Sequence, residues 1–492
     1  KAVSTIVFLI ISNLCYSQSP LAAKWVIGIS GVFANFDSTN AFAFRHCLIP
    51  TYFKQGNSNI CDSNGNILLF SDGFNIYKYG GQYLDGGDTL VPHDYYVDQN
   101  GWSAGSQTSI FLPMQNSKYY FVTPTASNNR FAECVASVNC FHDLMLYNVI
   151  DMQANGGQGA VTKRMVELTT TNDYSRTQMM ACRHANGQDW WLLKQGGDSN
   201  KVYKFLFTQD SVYNMGMQKF DAPVCGQWDL KGQSAFSLDG SMYATGTQGP
   251  YTGEFFLADF NRCTGELSNG RSLFAPLVKD NSPTDSSWYD VVLSGICFSP
   301  NKRFIYVTFQ YNIFQYDLWD STWYHVARHD TSWQQFQLYT TAYLANDNKI
   351  YIGNFGGLSQ QMSRIDSPDN KGAACSFCPR CLRADTVYYG YLGTPPCMPN
   401  YALGMDTSLC PPLLIENGSA AAEEIESEVR VYPNPATSTL NIKNATHKTK
   451  VVYDVTGKRL LVTIKDEIDV SSFTRGIYFL QCGKQVVKVV LE

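Results

Sequence analysis

The feature that most restricts how this chain can fold is a strand-turn-strand unit that recurs between Trp25 and about Cys410. Its copies run from Ile60 to Phe70, Ile110 to Val122, Ala181 to Leu193, Ala235 to Ala244, Ile296 to Val307 and Ala342 to Gly353. In each, an alternating apolar run meets a polar turn, such as Asp62-Ser63-Asn64-Gly65-Asn66, Asn186-Gly187, Asp239-Gly240 or Asn346-Asp347-Asn348. A second run, rich in aromatic or β-branched residues, follows. Period-two alternation reads as a strand, and Asn, Asp and Gly supply the backbone conformations of tight turns. Successive copies start 50, 71, 54, 61 and 46 residues apart. Each interval suits one four-stranded sheet with loops of varying length, and several copies lead into a further strand, as at Phe255 to Phe260 and Ile313 to Leu318.

One such sheet cannot bury both faces alone, whereas sheets packed face to face around an axis bury all but their rims. The expected fold class is therefore all-β, with a β-propeller of six or seven blades over residues 18–410, seven favoured. The seventh blade requires Trp25-Val26-Ile27-Gly28-Ile29 to pair with strands near the C-terminal end and so close the ring. Two stacked β-sandwiches are the alternative, but the repeated phase of the turns favours a ring. Composition agrees: 30 Tyr, 29 Phe and 38 Gly, with 16% charged residues, suit many short strands and tight turns. The formal net charge is -5, and the 37 Lys and Arg are scattered. Without a basic stripe, nucleic acid is excluded as the expected partner.

The two ends read differently from this repeat. Residues 1–17 have a cationic start, an apolar run to Leu14 and small residues at Cys15 and Ser17, the pattern of a secretory signal peptide cut before Gln18. The apolar run is too short to span a bilayer, which needs about 20 residues. Bulky Leu14 argues against Cys15 as a lipidated residue. The chain begins without an initiator Met, as a fragment lacking its first residue or residues would. Residues 411–428, with Pro411-Pro412 and the run Glu423-Glu424-Ile425-Glu426-Ser427-Glu428, read as a linker. Residues 429–492 alternate in short strands separated by Asn-Pro and Thr-Gly-Lys turns, as a small antiparallel β-sandwich would. No other run is long and apolar enough to cross a membrane.

This last segment carries Val431-Tyr432-Pro433-Asn434-Pro435, Leu440-Asn441-Ile442, Tyr453-Asp454-Val455-Thr456-Gly457-Lys458, Ile468-Asp469-Val470-Ser471, Gly476-Ile477-Tyr478-Phe479-Leu480 and Lys488-Val489-Val490. In these residues and their order it resembles the type A C-terminal sorting domain of the type IX secretion system of Bacteroidota. The resemblance implies export across the outer membrane to the cell surface or medium, with the translocon as partner. Its signature falls on Tyr432, Pro433, Asn434, Pro435, Asp454, Gly457, Gly476 and Tyr478. The upstream region resembles Bacteroidota surface proteins built as propellers, on Asp62 to Asn66, Arg183 to Trp191, Asp259 to Leu267 and Pro399 to Gly404. That second resemblance implies no activity.

An oxidising destination bears on the cysteines. Cys375-x-x-Cys378-x-x-Cys381, with Cys397 and Cys410 downstream, has spacing that could hold zinc or an iron-sulfur cluster. In an exported protein such residues more often form disulfides, which are expected here and for Cys134 and Cys140; no metal or other cofactor is expected. His325-x-x-x-His329 lacks a metalloprotease glutamate, since Val326 follows His325, and reads as a loop. His184 is better explained as fixing its turn than as a general base. Asp62-x-Asn64-x-Asn66 begins like a calcium loop but lacks the distal acidic ligand, so a hairpin turn is expected. No catalytic residue emerges. Trp102, Trp319, Trp323, Tyr324 and Trp333 are candidates for ligand platforms, with packing the plainer reading of each. The expected role is binding of a glycan or protein ligand, with an extracellular hydrolase or lyase, or a structural component of a surface layer, as alternatives.

Overall fold

Five of the six recurring turns close their hairpins by the same local chemistry. Asp62 Oδ1 accepts the backbone N–H groups of Asn64 and Asn66, both at 2.9 Å, while Gly65 takes φ +77°. Asn186 Oδ1 accepts from Gln188 and Asp189 at 2.9 and 3.0 Å, Asp239 Oδ1 from Ser241 at 3.0 Å, and Asn301 Oδ1 from Arg303 at 2.9 Å. Asp347 Oδ1 accepts from Lys349 at 3.2 Å. These bonds mimic a backbone turn, which is why Asx residues recur at these points.

The structure, a computed structural model, describes residues 19–28, 32–36, 43–46, 53, 55–101, 103, 105–134, 142–197, 200–221, 232–246, 253–276, 293–330, 338–354, 359–383, 392–410, 429–444, 450–482 and 485–492. They fall into two compact units that divide between Asp406 and Thr407.

Among the described residues, the first unit holds six antiparallel sheets whose strands follow chain order. The first sheet contains Lys24–Ile27, Val32–Asn35 and Ala43–His46; the second contains Ser58–Cys61, Ile67–Ser71 and Ile76–Lys78. The third has seven strands, from Ile110–Pro113 through Ala160–Arg183 to Val212–Lys219. The fourth begins with Ser234–Phe236, the fifth with Leu293–Phe298 and the sixth with Tyr339–Leu344, and each has four strands.

Two expectations are corrected here. The copies at Ile110 and Ala181 share one sheet, because the long strand Ala160–Arg183 pairs with His142–Asp151 in its first part and with Trp190–Gly196 in its second. Among the described residues, 24–27 pair with 32–35 and not with C-terminal strands: Lys24 faces Asn35 and Ile27 faces Val32. Gly28, at φ +78°, ends this strand in a backbone conformation that favours glycine.

The core lies between sheets. Phe255, Leu257, Ile296 and Val307 fill one seam, and Tyr306, Ile313, Ile350 and Ile352 fill another. Full burial of each such side chain contributes roughly 1.5–3 kcal/mol. Trp25 meets Tyr351 edge to face at 5.4 Å, so the first sheet packs on the sixth.

The first strands of successive sheets approach closely, which leaves their edge N–H and C=O groups facing one another. Side-chain amides bridge them. Gln233 Oε1 accepts the backbone N–H groups of Ile296 (3.2 Å) and Ala342 (2.9 Å), and its Nε2 donates to Ala342 O at 2.7 Å. Gln107 Nε2 donates to Ser234 O at 2.8 Å, and its Oε1 accepts from Ser234 N at 2.7 Å.

The second unit places Arg430–Tyr432, Thr439–Lys443 and Glu467–Asp469 in one sheet. Lys450–Asp454, Arg459–Thr463, Gly476–Cys482 and Gln485–Leu491 form the other, and both share a core of Leu440, Ile442, Val452, Ile468, Leu480 and Val489. Among the described residues no helix is long and apolar enough to cross a membrane.

The close approach of the first strands is directly testable at Gly295. A Cβ there would overlap the Thr340 carbonyl oxygen and lie 2.9 Å from the Ala342 nitrogen. Gly295→Ala should destabilise the first unit by about 1–3 kcal/mol, read as a lower denaturant midpoint, because backbone atoms cannot yield as a side chain can.

Candidate functional site

In the second unit the signature residues build an edge seal and two turns. Asn434 Nδ2 donates to Lys488 O at 2.7 Å, and Asn434 Oδ1 accepts from Val490 N at 2.8 Å. Ala436 N–H then donates to Val490 O, and Glu492 N–H to Ala436 O, both at 2.9 Å. The edge strand Gln485–Leu491 is thereby partly paired, which blunts an edge that would otherwise template aggregation. Tyr432-Pro433 and Asn434-Pro435 are both cis.

Asp454 Oδ1 accepts from Thr456 N, Thr456 Oγ1 and Lys458 N at 2.9, 2.6 and 3.0 Å, and Gly457 takes φ +81° to complete that turn. Burial pushes the Asp454 carboxyl up, but the hydrogen bonds from Thr456 and Lys458 outweigh it and hold the group below its ordinary value. Tyr478 is buried and donates its hydroxyl to Thr474 O at 2.6 Å, two residues before Gly476. The signature is thus largely a folding code. Tyr432 is exposed, and so are Phe479, which the motif contains, and Val462 and Val486 on the second sheet, which no motif singled out.

In the first unit, residues 392–406 run beneath the first strands and touch most of the sheets. Cys397 N–H donates to Asn57 O at 2.8 Å, Tyr401 Oη to Phe111 O at 3.0 Å, and Asn400 Nδ2 to Leu238 O at 2.7 Å. Asp406 N–H donates to Ala185 O, and Leu392 N–H to Ser359 O, each at 2.7 Å. Between this segment and the first strands lies a cavity of about 140 Å³.

The aromatic candidates separate. Trp323 is packing: it lies 4.8 Å from Tyr316 and 5.9 Å from Phe255, centroid to centroid. Trp319 is 75% exposed, with the Arg303 guanidinium 4.3 Å from its ring centroid. Arg303 is itself clamped by Asp317, Nε to Oδ1 at 3.0 Å and Nη2 to Oδ2 at 2.7 Å. Burial would raise the Asp317 carboxyl, but the Arg303 hydrogen bonds hold it low, so the clamp stays charged. Beside it Lys371 Nζ sits 2.5 Å from Asp320 Oδ2 and 4.9 Å from the Tyr324 ring centroid. Trp102 and Trp333 lie outside the described residues.

The cysteines depart from expectation. Cys378 and Cys381 are bonded to each other, and Cys410 also belongs to a disulfide. Cys375 and Cys397, however, are free and buried. Cys375 packs with Tyr306 and Phe304 in a sheet seam, and the Cys397 thiol faces Met179 O at 4.0 Å; apolar and tyrosine neighbours surround each, so burial rather than crosslinking explains them. Cys140 and the Cys134 side chain lie outside the described residues.

His325 sits on the strand Thr322–Arg328 and His329 just beyond it, so four residues of extended chain separate the imidazoles by roughly 13 Å. That spacing does not present two ligands to one ion as a helix would. Asp62 spends its carboxylate on its own turn, as described above. His184 Nδ1 accepts the Asn186 N–H at 3.0 Å, so Nε2 carries the proton and donates to Cys263 O at 2.9 Å. One ring nitrogen holds the turn and the other ties it to the 261–266 turn of the fourth sheet.

Residues 430–491 match the family model described as the secretion system C-terminal sorting domain. The chain therefore carries a type IX secretion sorting domain, and that system exports it to the cell surface or the extracellular space. No curated protein matches it. Among solved structures it is similar, at 13% identity and a TM-score of 0.33, to the extracellular domain of a protein described as a hybrid two-component system from B. thetaiotaomicron. That likeness covers 76% of this chain and 34% of the other, so the chain spans about a third of its length. It is also similar to apo AztD from Citrobacter koseri, at 14% identity and a TM-score of 0.38, over 77% of this chain and 86% of that one.

Two outcomes follow from these bonds. Asn434→Ala removes a donor and an acceptor at the edge strand; unfolding of the isolated segment 429–492 or of the whole chain should show a loss of about 1–3 kcal/mol confined to this unit. Burial lowers the His184 pKa, as it does for His142, His325 and His329. A histidine depressed in the folded state stabilises fully above its unfolded value of about 6.5 and loses that contribution as pH falls. The thermal midpoint should drop between about pH 7 and pH 5. In His184→Gln the drop should be smaller, and an equal drop would remove His184 from this account.

Proposed function

We propose that the first unit is a seven-bladed β-propeller displayed outside the cell, and that it binds saccharide on an aromatic platform formed by Trp319 and Tyr324. In this reading residues 1–17 are removed as a signal peptide, residues 18–410 are the cargo, 411–428 the linker and 429–492 the sorting domain. The blade count is supported by the strand Ala160–Arg183, in which Tyr174 pairs with His142 on one side and Gly196 on the other. Dividing the seven-stranded sheet there gives two four-stranded blades, and the other five sheets supply one blade each. The contact of Trp25 with Tyr351 supports closure by packing of the first sheet on the sixth.

The observation that carries the binding reading is the exposure of Trp319 on a fixed cationic backing. Arg303 cannot swing away, because Asp317 grips it in two places. One face of the indole is therefore occupied and the other open to solvent. A sugar presents C–H groups to such a face, while its hydroxyls find the nearby Asp320 carboxylate and Lys371 ammonium. Sequestered aromatic residues such as Trp323 offer no such face.

The test is a glycan array probed with the mature chain and with Trp319→Ala. The parent should bind a restricted set of glycans, and the variant should bind them at least about tenfold more weakly, consistent with loss of one stacking residue worth more than about 1.4 kcal/mol. Its unfolding midpoint should stay unchanged, since the side chain removed is largely solvated. Equal binding by the variant, or no glycan bound by the parent, would overturn the assignment.

A further inference from the structure

We propose that the cavity between residues 396–403 and the first strands is a binding site for a small uncharged apolar molecule the size of a single aromatic ring. It is separate from the Trp319 platform, which lies on a turn of the fifth sheet, and it stands whether or not that platform binds sugar.

Size comes first. The cavity measures about 140 Å³. An apolar cavity of about 150 Å³ stays dry and admits benzene or xenon. Sites for drug-sized ligands are about 300–1,000 Å³, so a saccharide chain or a nucleotide does not fit here.

The walls select further. They include Met180, Phe236, Phe298, Tyr343, Met398 and Leu403, and no described lining residue carries a charge. An ion entering would lose hydration with no opposite charge to meet it, and is disfavoured. Methionine thioethers adapt to aromatic edges and favour such contacts. Two lining thiols, Cys182 and Cys297, are pushed up to about 12 by burial and so remain neutral. They hydrogen-bond to neighbouring carbonyls, Cys182 to Arg183 O at 3.7 Å and Cys297 to Phe298 O at 3.5 Å, and present their sulfur as apolar surface.

The floor is built rather than accidental. Asn400 is tied by its side chain to Leu238 O and also accepts the Ala402 N–H at 3.0 Å, which fixes the backbone of this wall. Where the lining reaches solvent stand Asn346 and Asn348, and Asn346 Nδ2 donates to Ser19 O at 2.8 Å.

Benzene is the probe for thermal unfolding of the mature chain, and xenon for ¹²⁹Xe NMR of the same protein. Saturating benzene should raise the midpoint by about 1–3 °C. Xenon should show a bound or exchange-shifted resonance. Ala402→Phe, which adds a ring into the space without altering the backbone bond at that residue, should lose both responses. Should this variant fold poorly, a second measurement keeps the proposal at risk: in the parent, benzene should slow methylthiolation of Cys182 and Cys297 while leaving Cys61, buried elsewhere, unchanged. No midpoint shift and no xenon signal in the parent, full responses in Ala402→Phe, or equal protection of Cys61 would each overturn the assignment.

Discussion

The first unit depends on one stretch of chain holding segments that are far apart in sequence. Residues 392–406 hydrogen-bond to Asn57, Phe111, Ala185, Leu238 and Ser359, which span some three hundred positions. Strands that converge side by side leave a space their own side chains cannot fill, and unfilled space costs dispersion contacts on every wall. Tyr401, Met398 and Leu403 line the part of it that stays open. The same bonds tie the last residues of the unit to its first sheets, so opening any one sheet must also release this segment. Loop closure over such distances is entropically costly to establish and correspondingly cooperative once made.

How much of this was legible in the sequence depended on how local each cause is. The hairpins at Asp62, Asn186, Asp239, Asn301 and Asp347 could be placed because an Asx side chain acts within four residues of itself. The partner of Trp25 could not, since its strand pairs with Val32–Asn35 while its ring packs on Tyr351, more than three hundred residues away. The division at Tyr174 was hidden for a similar reason: one continuous strand serves two neighbours. The 392–406 segment left no periodic signal, because its bonds run from backbone and from scattered polar tips to partners hundreds of residues away.

The candidate sites divide along the same line. The sorting signature was readable as a motif, yet several of its residues build the fold, and the exposed Val462 and Val486 lay between its letters. An oxidising compartment permits disulfides but does not bring sulfurs together, which is why Cys375 and Cys397 were misjudged. Trp319 and Trp323 are indistinguishable as letters four apart in a loop-like stretch. Only the Asp317-clamped Arg303 under one of them tells the open platform from the packed filler.

A side-chain amide standing in for a peptide group recurs in both units, at Gln107 and Gln233 in the first and at Asn434 in the second. The surrogate works because an amide offers a donor and an acceptor together, and its hydrolysis to a carboxylate would erase the donor. Asparagine normally loses its amide through attack by the N–H of the following residue, which closes a five-membered imide. At Asn434 the following residue is Pro435, which has no N–H to attack. The order of the two residues therefore protects the edge seal against slow chemical ageing, a durable arrangement for a protein whose working life is spent outside the cell that made it.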